Sequence, residues 1–209
     1  MSVRQPTAAP RAALRLAPLT EAALLDALPA LARLRISVFA DWPYLYEGDP
    51  DYEARYLRAY AHSADALVVG AYDGDRLVGA ATAAPMEDHA AEFGQALAAA
   101  GLAPGETLYF GESVLDPAYR GLGVGRAFFE AREAHARALG RRWCAFCAVL
   151  RDPDDPRRPP HHRPLDAFWT RRGYAKTAGA EARFRWREIG AAEETEHRMA
   201  LWLRETPAG

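Results

Sequence analysis

Cysteine is nearly missing from this chain. Cys144 and Cys147 are the only two among 209 residues, and both fall in one strand-like run, 143–150. A three-residue offset on a strand sends side chains to opposite faces. A redox or zinc-binding reading of this Cys-x-x-Cys therefore fails, and two buried core thiols in a reducing cytoplasm are expected. Any apolar run near the ~18 residues that suggest a membrane span is also missing. The Ala/Pro-rich start, residues 1–13, lacks the apolar centre of a signal peptide and reads as a flexible lead. Strong charge of one sign is absent too. The formal net charge is -2, so no global field points to nucleic acid or a membrane surface. What is present is 50% hydrophobic and 26% charged, as in a soluble globular protein, and residues 14–209 suffice for a single well-packed domain.

The patterning alternates strands and helices, with no internal repeat. Residues 14–19 suit a short strand. Thr20 and Glu21 open a helix through Leu24, Leu25, Leu28, Leu31 and Leu34, which Pro29 is expected to break or kink. Residues 39–50 form a proline-punctuated loop carrying Trp42, Tyr44, Tyr46 and Glu47, a group that either walls an acceptor pocket or covers a core edge. Asp51 is placed to cap a helix with Tyr52, Tyr56, Leu57 and Tyr60 at helical spacing, a stripe that reads as core. Strands over 67–72 and 76–83 flank Asp73-Gly74-Asp75, a hairpin signal. A small helix spans 90–100, and 107–115 is a strand stopped by Asp116-Pro117. A helix over 123–139 has Val124, Ala127, Phe128, Ala131, Ala138 and Leu139 on its apolar face, with Arg126/Glu130 and Glu133/Arg137 as pairs on its wet side. The run 143–150 is apolar on both faces, as in a parallel central strand. After a charged, proline-rich loop over 151–164 and a short helix over 165–172, residues 183–189 and 196–203 close the order. The last is ambiguous between strand and helix. The unit 107–150 reads as a right-handed βαβ crossover.

The densest chemistry lies at Arg120-Gly121-Leu122-Gly123-Val124-Gly125-Arg126, between strand and helix. Three alternating glycines let a backbone approach a ligand closely. Amides at a helix N-terminus attract a phosphate, and two arginines add fixed charge. A dinucleotide fingerprint would need glycine where Arg126 stands.

The segment 112–126 resembles the acyl-CoA-binding motif of the GNAT superfamily of N-acyltransferases, Arg/Gln-x-x-Gly-x-Gly/Ala after a strand ending in Val/Leu-x-Pro. Arg120, Gly123 and Gly125 match it position by position. Ala167-Phe168-Trp169-Thr170-Arg171-Arg172-Gly173-Tyr174 resembles the family's second motif, an aromatic helix ending in Gly-Tyr. The resemblance covers nearly the whole chain. It implies an α/β fold built on a six- to seven-stranded, twisted, mostly antiparallel sheet with a central parallel pair, flanked by helices. It also implies acetyl-CoA as co-substrate, with no metal. Backbone amides of Gly121, Leu122, Gly123, Val124, Gly125 and Arg126 would hold the pyrophosphate, and the backbone of Val114 and Leu115 would pair with the pantetheine arm and offer a donor to the thioester oxygen. The acceptor would be a primary amine on a small molecule or peptide, and an exposed last strand would allow a homodimer. A non-catalytic coenzyme A-binding module is the alternative.

Counting by twos along 107–115 puts Glu112 on one face with Leu108, Phe110 and Val114. A carboxylate on an apolar face is costly. It is expected to be either a catalytic base or the partner of a buried arginine. Trp169 stands where many family members carry a tyrosine acid. It cannot protonate a thiolate in the same way, though its indole N–H can lie near the sulfur. Among the histidines, His135 reads as a satisfied boundary residue and His197 has no evident partner. His161 and His162, beside Arg157, Arg158 and Arg163, either meet an anion or form a solvated loop.

Overall fold

The structure, a computed structural model, describes residues 14–208, so the lead expected at 1–13 lies outside the described residues. The elements run β1 (Arg15–Pro18), α1 (Glu21–Phe39), α2 (Pro50–His62), β2 (Leu67–Asp73), β3 (Arg76–Pro85), α3 (Ala90–Ala100), β4 (Thr107–Tyr109), β5 (Ser113–Leu115), α4 (Val124–Ala138), β6 (Trp143–Val149), α5 (Asp166–Arg171), β7 (Ala175–Arg187) and β8 (Glu194–Glu205). They build one eight-stranded sheet ordered β1-β2-β3-β4-β6-β8-β7, with β5 pairing with β3. The β4–β6 pair is parallel and the other pairs are antiparallel. The mixed sheet with its central parallel pair is as expected. The strand count is higher because 107–115 is two strands, and 194–205 resolves as strand.

Local chemistry explains most boundaries. Thr20 caps α1 by accepting from the Ala23 N–H. Pro29 leaves α1 unbroken because it sits on the exposed side, where the Leu25 carbonyl it cannot satisfy faces water. The cap of α2 is Asp49 rather than Asp51, since Asp49 Oδ1 accepts from Tyr52 N at 2.7 Å and Pro50 then occupies the first turn. Gly74 turns the β2–β3 hairpin at φ +59°.

Helices α1, α2 and α3 cover one face of the sheet, which we call upper. Its core joins Leu28, Leu57, Tyr60 and Val114 to a second cluster of Phe93, Tyr109, Cys147 and Leu201. Helices α4 and α5 cover the lower face, with Phe129 of α4 in one cluster with Phe110, Cys144 and Phe146 and Phe128 in another with Val69, Val78 and Ala81. The two cysteines therefore face opposite ways, as the three-residue offset requires.

Residue pairing reveals why 107–115 breaks. Ala84 faces Tyr109 and Pro85 faces Leu108, but Ala81 faces Ser113 and Ala80 faces Val114. One extra residue has entered the strand, so Gly111 and Glu112 both oppose Thr82. The Gly111 N–H donates to the Thr82 carbonyl, and the Thr82 N–H donates to the Glu112 carbonyl. This β-bulge shifts the alternation by one position. Leu108 and Phe110 point down, whereas Glu112 and Val114 point up with Tyr109. The count by twos thus holds for Glu112 with Val114 and fails for Leu108 and Phe110.

Only glycine fits the bulge. A Cβ on Gly111 would collide with the Tyr60 hydroxyl and lie 2.6 Å from Thr82 Oγ1. Gly111→Ala should cost about 1–3 kcal/mol in urea unfolding, the range for overpacking, and adding Tyr60→Phe should recover part of it. An alanine variant as stable as the parent would show that the bulge tolerates a side chain.

Candidate active site

The bulge opens a gap in the sheet. β4 holds β6 through Tyr109 opposite Ala145, and the Phe110 N–H donates to the Ala145 carbonyl at 2.7 Å. Beyond that point β5 follows β3 and leaves β6. Hydrogen bonding shows which backbone groups line the gap. The Glu112 carbonyl and the Asp116 N–H both bond toward β3. By alternation, Glu112, Val114 and Asp116 face β3, and the N–H and C=O of Ser113 and Leu115 point the other way. On β6, Leu150 N bonds toward β8, so Cys147 and Val149 direct their backbone groups into the same gap. Leu115 lines the gap as expected. Val114 does not, since its backbone is engaged by Ala80, and Ser113 takes its place.

The glycine loop lies at the wide end of the gap. Gly121 and Gly123 have φ of +80° and +84°, and Gly123 is the cap residue of α4. The first intrahelical bond, Ala127 N to Gly123 O, leaves the amides of Val124, Gly125 and Arg126 directed out of the helix end. Gly125 is helical, and nothing lies within 4 Å of where its Cβ would stand. The cradle is thus open, with left-handed turns at two glycines and vacant space at the third. Arg120 and Leu122 are exposed. Arg126 is exposed and paired with Glu130 at 2.7 Å, as its spacing predicts. The companion Glu133/Arg137 pair does not form. Glu133 turns inward, accepting from Tyr174 at 3.1 Å, Arg204 at 3.0 Å and Arg172 at 2.9 Å. This ties α4 to α5 and β8.

Above the bulge sits a buried charge cluster. Arg35, on α1, ion-pairs with both Glu53 of α2 and Glu112. Glu53 is 0% and Glu112 9% exposed. The second Glu112 oxygen accepts from the Tyr56 hydroxyl at 2.9 Å, and Tyr56 hydrogen-bonds Tyr60 at 3.0 Å. Burial opposes the Arg35 charge, but the carboxylates, Glu112 foremost, outweigh it and hold its pKa well above the usual value. Glu112 is therefore paired with a buried arginine. The tyrosine stripe of α2 is part of this network and not core alone, while Tyr52 is half exposed. Tyr56 and Arg35 were missed because nothing local marks them. Each is an ordinary helical residue until Glu112 is placed over it.

The loop between α1 and α2 closes the upper face. Its shape is fixed from the far end of the sheet. Arg151, just past β6, donates to the carbonyls of Pro43 at 2.6 Å and Tyr44 at 3.0 Å and pairs with Glu188. Trp186 Nε1 also donates to the Tyr44 carbonyl, at 3.0 Å. Tyr44 packs against the cluster containing Tyr109 and Cys147, and burial, aided by Cys147, pushes its hydroxyl up to about 12. Trp42 lies beneath Arg151 and edge-on to His162. Tyr46 bridges to Glu188, and Glu47 pairs with Arg187. His197, whose partner was not evident, stacks on Trp186 at 3.6 Å. Arg157 is held by Asp155 and Glu188. His135 is satisfied by the Asp65 carbonyl at 2.8 Å.

Trp169 sits on the lower face, half-buried against Phe146 and Trp202 at 5.0 and 5.1 Å. It is across the sheet from Glu112. Burial raises the Cys147 thiol, on the upper face beside the gap, to about 12, so it stays protonated at neutral pH.

Residues 34–174, which contain both the gap and the glycine loop, match a family model described as the acetyltransferase (GNAT) family. This chain belongs to the GNAT family. No curated protein matches it closely enough to count as a relative. Solved structures share the fold at low identity. A Salmonella typhimurium protein assigned as an acetyltransferase, solved with its cofactor acetyl-CoA, superposes with TM-score 0.57 at 12% identity over 95% of this chain and 96% of its own. An N-acetyltransferase from Staphylococcus aureus Mu50 gives 0.60 at 11%, covering 94% and 100%. A ribosomal-protein-alanine N-acetyltransferase from Brucella melitensis gives 0.59 at 13%, covering 91% and 99%.

Among the described residues, Arg35 is the one cation paired with the two buried carboxylates. Arg35→Met should therefore destabilise the protein by about 3–5 kcal/mol, the usual cost of stranding a buried charge. Urea unfolding checks this. A loss below about 1 kcal/mol would mean that the carboxylates find other partners.

Proposed function

We propose that this GNAT protein transfers an acetyl group from acetyl-CoA to a primary amine by direct attack. The observation that carries the reading is the pair of open strand edges, Ser113/Leu115 and Cys147/Val149, converging from the glycine loop toward the bulge. An extended pantetheine arm can add between them as a strand does, with its pyrophosphate on the amides of Gly121 to Arg126. The thioester then lies where β4 and β6 part, next to Glu112. Trp169 and Phe146 would flank the arm from below.

The residues divide the chemistry between the two faces. Glu112 receives the amine and its proton on the upper face. Each carboxylate oxygen has two lone pairs, so engagement by Arg35 and Tyr56 fixes the group and leaves it able to accept. With Arg35 contributing one positive charge against Glu53 and Glu112, the upper cluster carries an excess negative charge that suits a cationic amine. Trp42, Tyr44, Tyr46 and Glu47 form the acceptor wall. A protonated Cys147 is a poor nucleophile, which favours direct transfer over an acetyl-cysteine intermediate. The whole reaction takes place away from nucleic acid and membrane, in the cytoplasm.

Trp169 in place of a tyrosine acid favours one second reading, a coenzyme A-binding module without turnover. Thiol release across an amine panel separates the two. Release by the wild type supports transfer, and binding without release by any amine supports the module.

The cradle is best tested at Gly125. A glutamate at Gly123 would strain its positive φ, but Gly125→Glu places a carboxylate in open space on the anion site. Its unfolding free energy should change by under about 1 kcal/mol, while calorimetry should find acetyl-CoA binding lost. Retained affinity would remove the pyrophosphate from this loop. Glu112→Gln should lower turnover roughly 10²- to 10⁴-fold with acetyl-CoA affinity intact, and wild-type turnover across pH would take Glu112 out of the mechanism.

A further inference from the structure

Arg132, on α4, lies inside the protein at 2% exposure with no carboxylate within ion-pair distance among the described residues. Burial pulls its pKa down to about 10, which leaves it charged at neutral pH. Its guanidinium lies over the rings of Phe110 and Phe129, at 4.5 and 4.8 Å. Its donors go to backbone carbonyls alone. Nε donates to Phe128 at 3.1 Å, and Nη1 to Thr82 at 3.4 Å and Glu112 at 3.3 Å, while Nη2 has no hydrogen-bond partner. A buried cation costs far more than a neutral donor making the same bonds. The charge itself therefore needs a reason.

The reason lies in the peptide that Arg132 touches. The Glu112 carbonyl and the Ser113 N–H belong to one amide and point in opposite directions. The carbonyl accepts from the Thr82 N–H at 3.0 Å on the β3 side and from Arg132 below. The N–H points through the open edge of β5 into the gap, at the end near the bulge. A cation on the oxygen draws density through the amide and strengthens the N–H as a donor. We infer that Arg132 is a positioning residue that fixes and polarises the 112–113 peptide, so that the Ser113 N–H meets the thioester oxygen. The inference rests on the acetyl-transfer reading. As the amine nitrogen forms its bond to the carbonyl carbon, the carbonyl electron pair moves onto the oxygen facing Ser113. When that pair returns, the C–S bond breaks and its electrons leave with sulfur. An amine that arrives protonated first gives up one proton to Glu112, which frees its lone pair; after attack the nitrogen loses a second proton and the sulfur gains one, so one proton is released overall. Arg132 forms and breaks no bond.

The binary complex tests this without knowledge of the acceptor. Acetyl-CoA isotope-labelled at the acetyl carbonyl is bound to the enzyme, and its carbonyl stretch is read by difference infrared spectroscopy. Binding to wild type should move the stretch to lower wavenumber. Arg132→Met should lose most of that displacement, and Arg132→Lys should keep part of it. Calorimetric affinity for acetyl-CoA should change less than about threefold in both, and turnover of the methionine variant should fall roughly ten- to a hundredfold. Ser113→Pro removes the outward N–H without touching a β3 hydrogen bond, and it should abolish the displacement even if the methionine variant fails to fold. Variants that bind acetyl-CoA with the wild-type carbonyl frequency overturn the inference and leave the transfer reading intact. A wild-type enzyme that binds no acetyl-CoA overturns both.

Discussion

One extra residue opposite Thr82 governs this structure. Without it, 107–115 would be a single strand hydrogen-bonded to β3 on one side and β6 on the other, and no gap would exist. With it, the strand bends after Phe110, β5 stays with β3, and two backbone edges are left facing each other. The same residue reverses the alternation, which carries Glu112 from the lower face, where Phe110 points, to the upper face under α1 and α2. Gly111 makes the bend sterically possible, and Thr82 answers it three times, with its N–H, its carbonyl and its hydroxyl, the last accepting from Glu112 N at 3.2 Å.

The bulge also organises the buried charge. Arg35 approaches it from above and bonds the Glu112 side chain, while Arg132 approaches from below and bonds the Glu112 backbone. Counting unit charges, Arg35 and Arg132 contribute two positive and Glu53 and Glu112 two negative, so the assembly is neutral. Its halves are separated by the sheet. The upper half carries the excess negative charge and the lower half the unmatched positive charge. For aminolysis of a thioester, that division places an attractor where a cationic amine would arrive and a cation behind the amide where an oxyanion would form. Neither arginine is interchangeable with lysine here, because each uses its forked geometry to reach two groups at once.

Much of the local geometry of the candidate donor site was legible in the sequence. Glycine spacing, the helix behind it and the strand before it depend on local rules, and Arg120 to Arg126 obey them. The order of strands and the opposed cysteines were legible for the same reason. Failures came where a distant partner overrides a local pattern. Pro29 reads as a helix breaker, but its exposure makes the lost bond harmless. Glu133 reads as a surface partner of Arg137, but Tyr174, Arg172 and Arg204 arrive from later in the chain and draw it inward. Glu112 reads by twos until the bulge, and only Gly111 directly before it hints at the extra residue. Tyr56 lies on an ordinary amphipathic stripe and acquires a role solely through a carboxylate 56 positions away.

The contrast between the two halves of the site follows from what each is made of. The proposed donor half is backbone, with strand edges and helix amides whose geometry depends little on the side chains around them. The acceptor half is side chains on a loop with no regular structure of its own. That loop owes its shape to Arg151 and Trp186, which lie more than a hundred positions later and donate to the carbonyls of Pro43 and Tyr44, while Glu188 holds Arg151 in place. Arg151 also stands two residues past Val149, the end of the β6 wall of the gap. A shift of that wall is therefore transmitted to Pro43 and Tyr44 through one hydrogen bond each, so the gap and the α1–α2 loop are registered to each other by one guanidinium.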